Sequence, residues 1–302
     1  MKRRHKSGNR TIRGPGDYGI ESFSVVLITL FALCCILPFI YVFLTSFMSY
    51  DDYIKYPMAI IPPKFDITAY KQILGFKLIH SGYLVTLTVT VAGTFLSVFL
   101  LVVSAYPLSK PELKGRRVVM LMILFTMFFN GGMIPNFILI KDIGLYNKIG
   151  SLIIPGCISA FNLILMRNFM KTGIPESLEE AARIDGANDL RILSSVIVPL
   201  LTPAIATMTI FSAVNYWNNY FSAMLYISDR NLWPLILVLR ELVVENTDAV
   251  SPVTAMLSQQ AGSHPYTLKM AAIIIVILPI LVVYPFMQRY FVKGISLGSV
   301  KE

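Results

Sequence analysis

Charge is what this chain has least of, and it is withheld in blocks. Only 14% of the 302 residues are Asp, Glu, Lys or Arg, where a soluble domain carries about 25%. Six runs contain none: between Glu21 and Asp51, His80 and Lys110, Arg117 and Lys141, Lys148 and Arg167, Arg191 and Asp229, and Lys269 and Arg289. With 55% hydrophobic residues and a mean hydropathy of +0.66, the composition excludes a soluble globular domain. A helix needs about 20 apolar residues to cross the hydrocarbon core. The runs meet or approach that length, so the sequence predicts an all-α membrane protein with six transmembrane helices. The 37 residues from Ile192 to Ser228 exceed one crossing, and their first turns are expected at the interface. The uncharged stretch from Ala249 to Leu268 is too polar to cross as a helix.

Chemistry-bearing residues are equally sparse. Cys34 and Cys35 lie in the first run and Cys157 in the fourth, without metal or redox spacing, which leaves them as packing residues. His5, His80 and His264 are scattered, so neither a metal cluster nor a catalytic triad has its parts. The chain contains no G-x-x-x-x-G-K-[ST] loop, so ATP, if used, is bound by another chain. With no acid or base inside the runs, a membrane enzyme or an ion-coupled carrier lacks its working group. A neutral cargo and an external energy source are expected instead.

Basic residues set the orientation. Of the 26 Lys and Arg, 17 fall on alternate segments, those that are inside when the N-terminus is cytoplasmic. The positive-inside rule therefore predicts N-in and C-in. The start "MKRRHKSGNRTIRGPGD" precedes an apolar run about twice the length of a signal h-region, so it reads as a retained span. The net charge of +9 suits a basic face on anionic lipid, and no aromatic interleaving suggests nucleic acid.

One predicted inner segment has internal punctuation. In "GIPESLEEAARIDGANDLRILSSVIVPLLTP", from Gly173 to Pro203, Pro175 suits a first helical turn, and Glu176, Glu179 and Glu180 suit the positive end of a helix dipole. Gly186 suits the left-handed position that closes a helix. Asn188 or Asp189 can cap the next helix, from about Leu190 toward Pro199. Leu178, Ala181, Ala182 and Asp185 fall at i, i+3, i+4 and i+7, a stripe that another surface can approach closely. Glu180 lends that approach a charge.

These residues resemble the EAA signature of membrane subunits of binding-protein-dependent ABC importers: Glu180, Ala181, Ala182, Asp185, Gly186, Ala187, Leu193, Val196, Val198, Pro199 and Pro203 occupy its positions. Leu193, Val196 and Val198 stand where phenylalanine, isoleucine and leucine are frequent. The resemblance is to the carbohydrate branch, near the smaller membrane subunit of the maltose importer and the lipoprotein and complex-oligosaccharide permeases of Gram-positive bacteria. It implies a type I importer permease in a bacterial cell membrane, with no catalysis of its own. It also implies a second homologous permease, two ATPase subunits that bind ATP and Mg, and an extracellular solute-binding lipoprotein. Glu180 would be the ionic anchor to the ATPase, Ala181 and Ala182 the packing face, and Asp185 with Gly186 the holders of the turn. The implied layout is a basic cytoplasmic tail over 1–22, a first span with an extracellular loop over 23–80, a five-helix core over 81–291 with the cytoplasmic loop 173–195, and a cytoplasmic tail over 292–302. That tail, "GISLGSVKE", is similar to those of the group.

The fifth run contains "FSAVNYWNNYFSAML". On one helix Ser212, Asn215, Asn218, Asn219 and Ser222 form a polar stripe, flanked by Tyr216, Trp217 and Tyr220. Amides for hydroxyls and aromatics for pyranose faces suit a sugar path. An aromatic interfacial belt with asparagines binding a neighbouring helix suits the residues equally. Asn130, Asn136 and Asn162 invite the same two readings, and "NGGMIP" predicts a broken helix.

Overall fold

The computed structural model describes residues 15–56, 61–244 and 265–299. Every regular element among them is a helix. In the order of the chain these are α1 (Pro15–Thr45), α2 (Tyr50–Lys55), α3 (Thr68–Gly75), α4 (Lys77–Ser109), α5 (Arg116–Phe128), α6 (Met133–Asp142), α7 (Gly150–Ile153) and α8 (Ala160–Gly173). There follow α9 (Glu176–Ile184), α10 (Asp189–Ile192), α11 (Val198–Leu200), α12 (Thr202–Trp217), α13 (Tyr220–Tyr226), α14 (Leu235–Val244) and α15 (Pro265–Ser299). His5, His264 and most of the polar stretch 249–268 lie outside the described residues.

Three of the six charge-free runs form long helices, α1, α4 and α15, each long and apolar enough to cross a membrane. The other three are broken, and each break has a local cause. Between α5 and α6 the chain bends by 114° at Asn130–Gly132, where Gly132 has φ +92 and the Asn130 side chain accepts from the Gly132 amide at 3.0 Å. The "NGGMIP" expectation holds. Between α7 and α8 the sequence Pro155-Gly156 interrupts the fourth run, so the continuous fourth helix expected there is replaced by a single turn and a 14-residue helix, about 21 Å long. In the fifth run the segment from Asp189 to Leu200 meets α12 at 82°. Pro199 and Pro203 withhold the amides a continuous helix would need, and the π-helical turn Leu193–Ile197 takes up the first defect. The first turns of this run do leave the direction of the crossing. Counting each bent pair as one span gives up to five crossings by length and composition.

Helix α4 is the spine, about 50 Å long by its 33 residues. One end packs with α8, α10 and the π turn around Leu101, Ala105, Met166, Ile192 and Ile197. The other end packs with α3, α14 and α15 around Ile73, Leu235, Val238, Ala271 and Ala272. Gly82 lets the α14 backbone approach, since a β-carbon there would lie 3.3 Å from Leu235 Cα. Beside it the Leu235 amide donates to Thr86 Oγ1 at 2.8 Å. Helix α14 falls in what read from sequence as an outer connection. Its buried residues Leu235, Val238 and Leu242 have the i, i+3, i+7 spacing of a core face, which Arg240 and Glu241 obscure.

The loop after α1 is likewise structured: Ser46 shares a hydrogen bond with the Tyr70 hydroxyl at 2.6 Å, and α3 buries Ala69 and Ile73. Helix α1 itself keeps large apolar side chains exposed from Ile20 to Phe43. It reaches α15 through the Tyr41 and Tyr266 hydroxyls, 3.3 Å apart. Cys34 and Cys35 are exposed on it, as is nearly every residue before Tyr41, so within this chain they do not pack as expected.

Candidate functional site

Two sets of residues stand out, at opposite sides of the core around Leu101. The first is α9 and its turn. Pro175 precedes the helix with extended ψ of 131, so the helix starts at Glu176. Its far end closes by backbone alone: the Gly186 amide donates to Arg183 O at 3.0 Å and the Ala187 amide to Ala182 O at 2.9 Å. This double bond pattern needs a left-handed residue at the second-last position, and Gly186 has φ +80. Asn188 caps α10, accepting from the Arg191 amide at 2.9 Å. Arg183 pairs with Asp189 across the turn at 3.1 Å. The Asp185 side chain is exposed and takes no part in these bonds, so Gly186 holds the turn without it.

The expected docking stripe is rotated by roughly a quarter turn. Ala182 and Ala187 lean on the α4–α8–α10 core, and Glu179 is buried at 9% exposure. Outward point Leu178, Glu180, Ala181 and Asp185. Ile184, at 87% exposure, and Leu190, at 76%, join them. These two were missed from sequence, although a bare isoleucine and leucine beside a tight turn are the apolar signal of a contact surface. Glu179 was read only as a dipole partner. It forms an ion pair with Lys110, just past the end of α4.

The second set is a pocket of about 250 Å³ among α4, the α7–α8 break, α8 and α12. Its polar lining is Ser97, Ser159, Asn162, Ser212, Asn215 and Tyr216, with Cys157 beside them. Of the eight expected path residues it gathers three, Ser212, Asn215 and Tyr216. The single stripe does not form, because the helix stops at Trp217 and restarts at Tyr220. Asn218 and Asn219 serve that break: Asn218 Nδ2 donates to Val214 O at 2.9 Å, and Asn219 Oδ1 accepts from the Ser222 amide at 3.2 Å. Trp217 is buried, and Tyr220 lies under the Arg240 guanidinium, 5.5 Å from its ring centre. Asn136 donates to Asn130 at 3.4 Å and both lie outside the pocket. Asn162 is the one asparagine of the third and fourth runs that joins it.

Tyr216 is held rather than free. Its hydroxyl donates to Ile153 O at 3.0 Å and lies 3.1 Å from Ser97 Oγ, tying α12 to α4 and to the last carbonyl of α7. Tyr216→Phe is expected to cost about 1–3 kcal/mol, because it takes the partner from the buried Ser97 hydroxyl and from the part-buried Ile153 carbonyl. A lowered melting temperature of the detergent-solubilised chain is the measurement, and an unchanged one removes the tie.

Comparison with known proteins places this geometry. Residues 82–297 match the model of the binding-protein-dependent transport system inner membrane component family. The chain belongs to that family. It is 44% identical to the polygalacturonan/rhamnogalacturonan transport system permease protein YtcP of Bacillus subtilis over 274 residues, 90% of this chain and 94% of that one. It is 39% identical to the protein LplC of the same organism over 88% of this chain and 89% of that one. Among solved structures, a bacterial ABC transporter involved in the import of the acidic polysaccharide alginate includes a chain that superposes with a TM-score of 0.86 at 38% identity. The match covers 93% of this chain and 99% of that one. The protein is thus a multi-pass inner-membrane permease with the type I ABC importer fold, in a family of transport subunits rather than enzymes.

Proposed function

We propose that this permease forms half of the translocation path of an oligosaccharide importer and is driven by separate ATPase subunits that dock on α9. The supporting observation is the face of α9 and its turn: apolar Leu178, Ile184 and Leu190 stand exposed on the same loop as the exposed Glu180, and the far end of that helix is closed by its own backbone bonds. Large apolar side chains left exposed together mark an interaction surface, and the closed turn is rigid enough to be pushed. Glu180 is the ionic anchor, Ala181 with Leu178 the close contact, and Gly186 fixes the angle. The ATPases carry ATP and Mg. A second permease of the same family completes the path, and an extracellular binding lipoprotein delivers the cargo.

In this reading the chain crosses six times with both ends cytoplasmic. The broken fourth run, helped by its neighbours, supplies the crossing that α8 alone is too short to make. Residues 1–22 form the basic inner tail, 23–80 the added first span and outer loop, 81–291 the core with loop 173–195, and 292–302 the inner tail.

The pocket of Asn162, Ser212 and Asn215 carries amides and hydroxyls and no charged side chain, so it reads sugar hydroxyls and is indifferent to carboxylates that stay in water. That suits a neutral oligosaccharide, and equally the uronate-bearing fragments that the names of YtcP and the alginate importer describe. The cargo is therefore an oligosaccharide recognised here by hydroxyls, with the charge selected by the receptor. In membrane vesicles holding the whole complex, Asn162→Ala with Asn215→Ala is expected to lower uptake of receptor-bound oligosaccharide about tenfold, two hydrogen bonds' worth. Galacturonate and neutral oligomers should be affected alike, with the ATPases still bound. Unchanged uptake of both moves the path elsewhere.

A further inference from the structure

We propose that the Lys110–Glu179 ion pair is the link through which α9 moves α4, a positioning contact distinct from the outward anchor Glu180. The inference rests on the coupling role of α9 given above. The two neighbouring glutamates, about 100° apart around the helix, differ in exposure: Glu180 is exposed, whereas the Glu179 side chain keeps 11% of its surface and that of Lys110 20%. The Lys110 ammonium also lies 4.9 Å from the centre of the Tyr106 ring, a contact that orients it from below. Beside the pair a groove of about 260 Å³ runs between Ser109–Glu112, the end of α8 and α9, lined by Glu176, Glu180 and Arg183 among others. The ion pair spans that groove. Apart from it, α9 and its turn lean on the core through Ala182 and Ala187, two side chains too small to drag a helix, and through Arg183 beside the Tyr106 hydroxyl of α4.

The geometry also says where a displacement goes. Lys110 follows the last residue of α4, and Arg167 Nε donates to Leu108 O at 3.0 Å, so the same helix end grips both α8 and α9. Ser97 and Leu101 of α4 line the polar pocket, and Ser97 lies about 20 Å along a continuous helix from Lys110. Asn162 stands on α8 in the same pocket. A push on α9 therefore reaches two walls of the pocket through the ion pair and the helices it joins, a contiguous physical route.

The test uses the complete complex, both permeases with their ATPases, in liposomes with the binding protein, reading sugar uptake per ATP hydrolysed. Glu179→Gln and Lys110→Gln are each expected to keep the ATPases at wild-type amounts and to lower uptake per ATP about tenfold, within the usual range of inter-site coupling. The exchanged pair, Lys110→Glu with Glu179→Lys, is expected to recover most of the loss. Should the exchanged pair not insert, Lys110→Arg keeps the charge and reach and must couple as wild type does. Wild-type uptake per ATP in both single variants overturns the inference, as does a Lys110→Arg no better than Lys110→Gln. ATPases that stay bound when Glu180 is reversed overturn the docking reading instead, so the two failures are distinguishable.

Discussion

Replacing Glu180 by lysine is expected to strip the ATPase subunits from the purified complex and abolish uptake. The carboxylate stands on the exposed side of α9, one turn from Ile184, and Ala181 and Leu178 continue that side around the helix. When those apolar neighbours are covered by a partner, water leaves, and the charge is desolvated against its counterpart. Loss of a hydrogen-bonded charge at such a position costs about 2–5 kcal/mol, and reversal adds repulsion. In affinity that is roughly 30- to several-thousand-fold. An exposed pair without the apolar ring is worth at most about 1 kcal/mol, which makes Asp189→Lys the control: it breaks only the exposed tie to Arg183 and should leave the ATPases bound. The measurement is co-purification on a tag carried by this chain. Equal ATPase recovery from Glu180→Lys and wild type would sink the docking face.

How far the sequence could carry these conclusions depends on which physical signal each element leaves. Unbroken spans are legible because the crossings of α1, α4 and α15 need only uninterrupted apolarity. The α9 turn is legible end to end, since Gly186 and Asn188 are residue types chosen by backbone geometry. Charge-free length, in contrast, measures lipid compatibility and not continuity. It passed over Pro155-Gly156, whose break supplies the pocket with Gly156, Cys157 and Ser159, and over the stop at Asn218, where two asparagines cap helix ends instead of facing cargo. Helical spacing fixed which residues of α9 share a face but not which face turns inward. That choice is made by Lys110, 69 residues earlier, and only the packed chain brings it to Glu179. Tyr216 shows the same limit: its aromatic ring and hydroxyl suit a sugar path, yet its partners on α4 and α7 make it a fixed pin within the wall of the pocket.

That pin makes Gly93→Val the most damaging small substitution in the interior of α4. A β-carbon at 93 would lie 2.7 Å from the Tyr216 ring carbons, well inside contact distance, and the ring has no slack. Its hydroxyl is fixed by Ser97, one turn along from Gly93 on the same helix, and by the Ile153 carbonyl. Making room means moving the ring and giving up both bonds. Overpacking costs about 1–3 kcal/mol. Loss of the partner of the buried Ser97 hydroxyl and of the Ile153 carbonyl adds about 1–3 more. The expected total, about 2–6 kcal/mol, exceeds that of Tyr216→Phe, which loses the bonds without the collision. Truncating the ring separates the two components. In Gly93→Val with Tyr216→Ala the new methyl groups enter the space the ring vacates, so the double variant should be more stable than the summed single effects by at least about 1 kcal/mol, the sign of two sites in contact. Thermal unfolding of the four forms in detergent reads this directly. Strict additivity would mean that α4 and α12 separate freely at this level, and the wall of the pocket would then not be the rigid surface that α4 is asked to move.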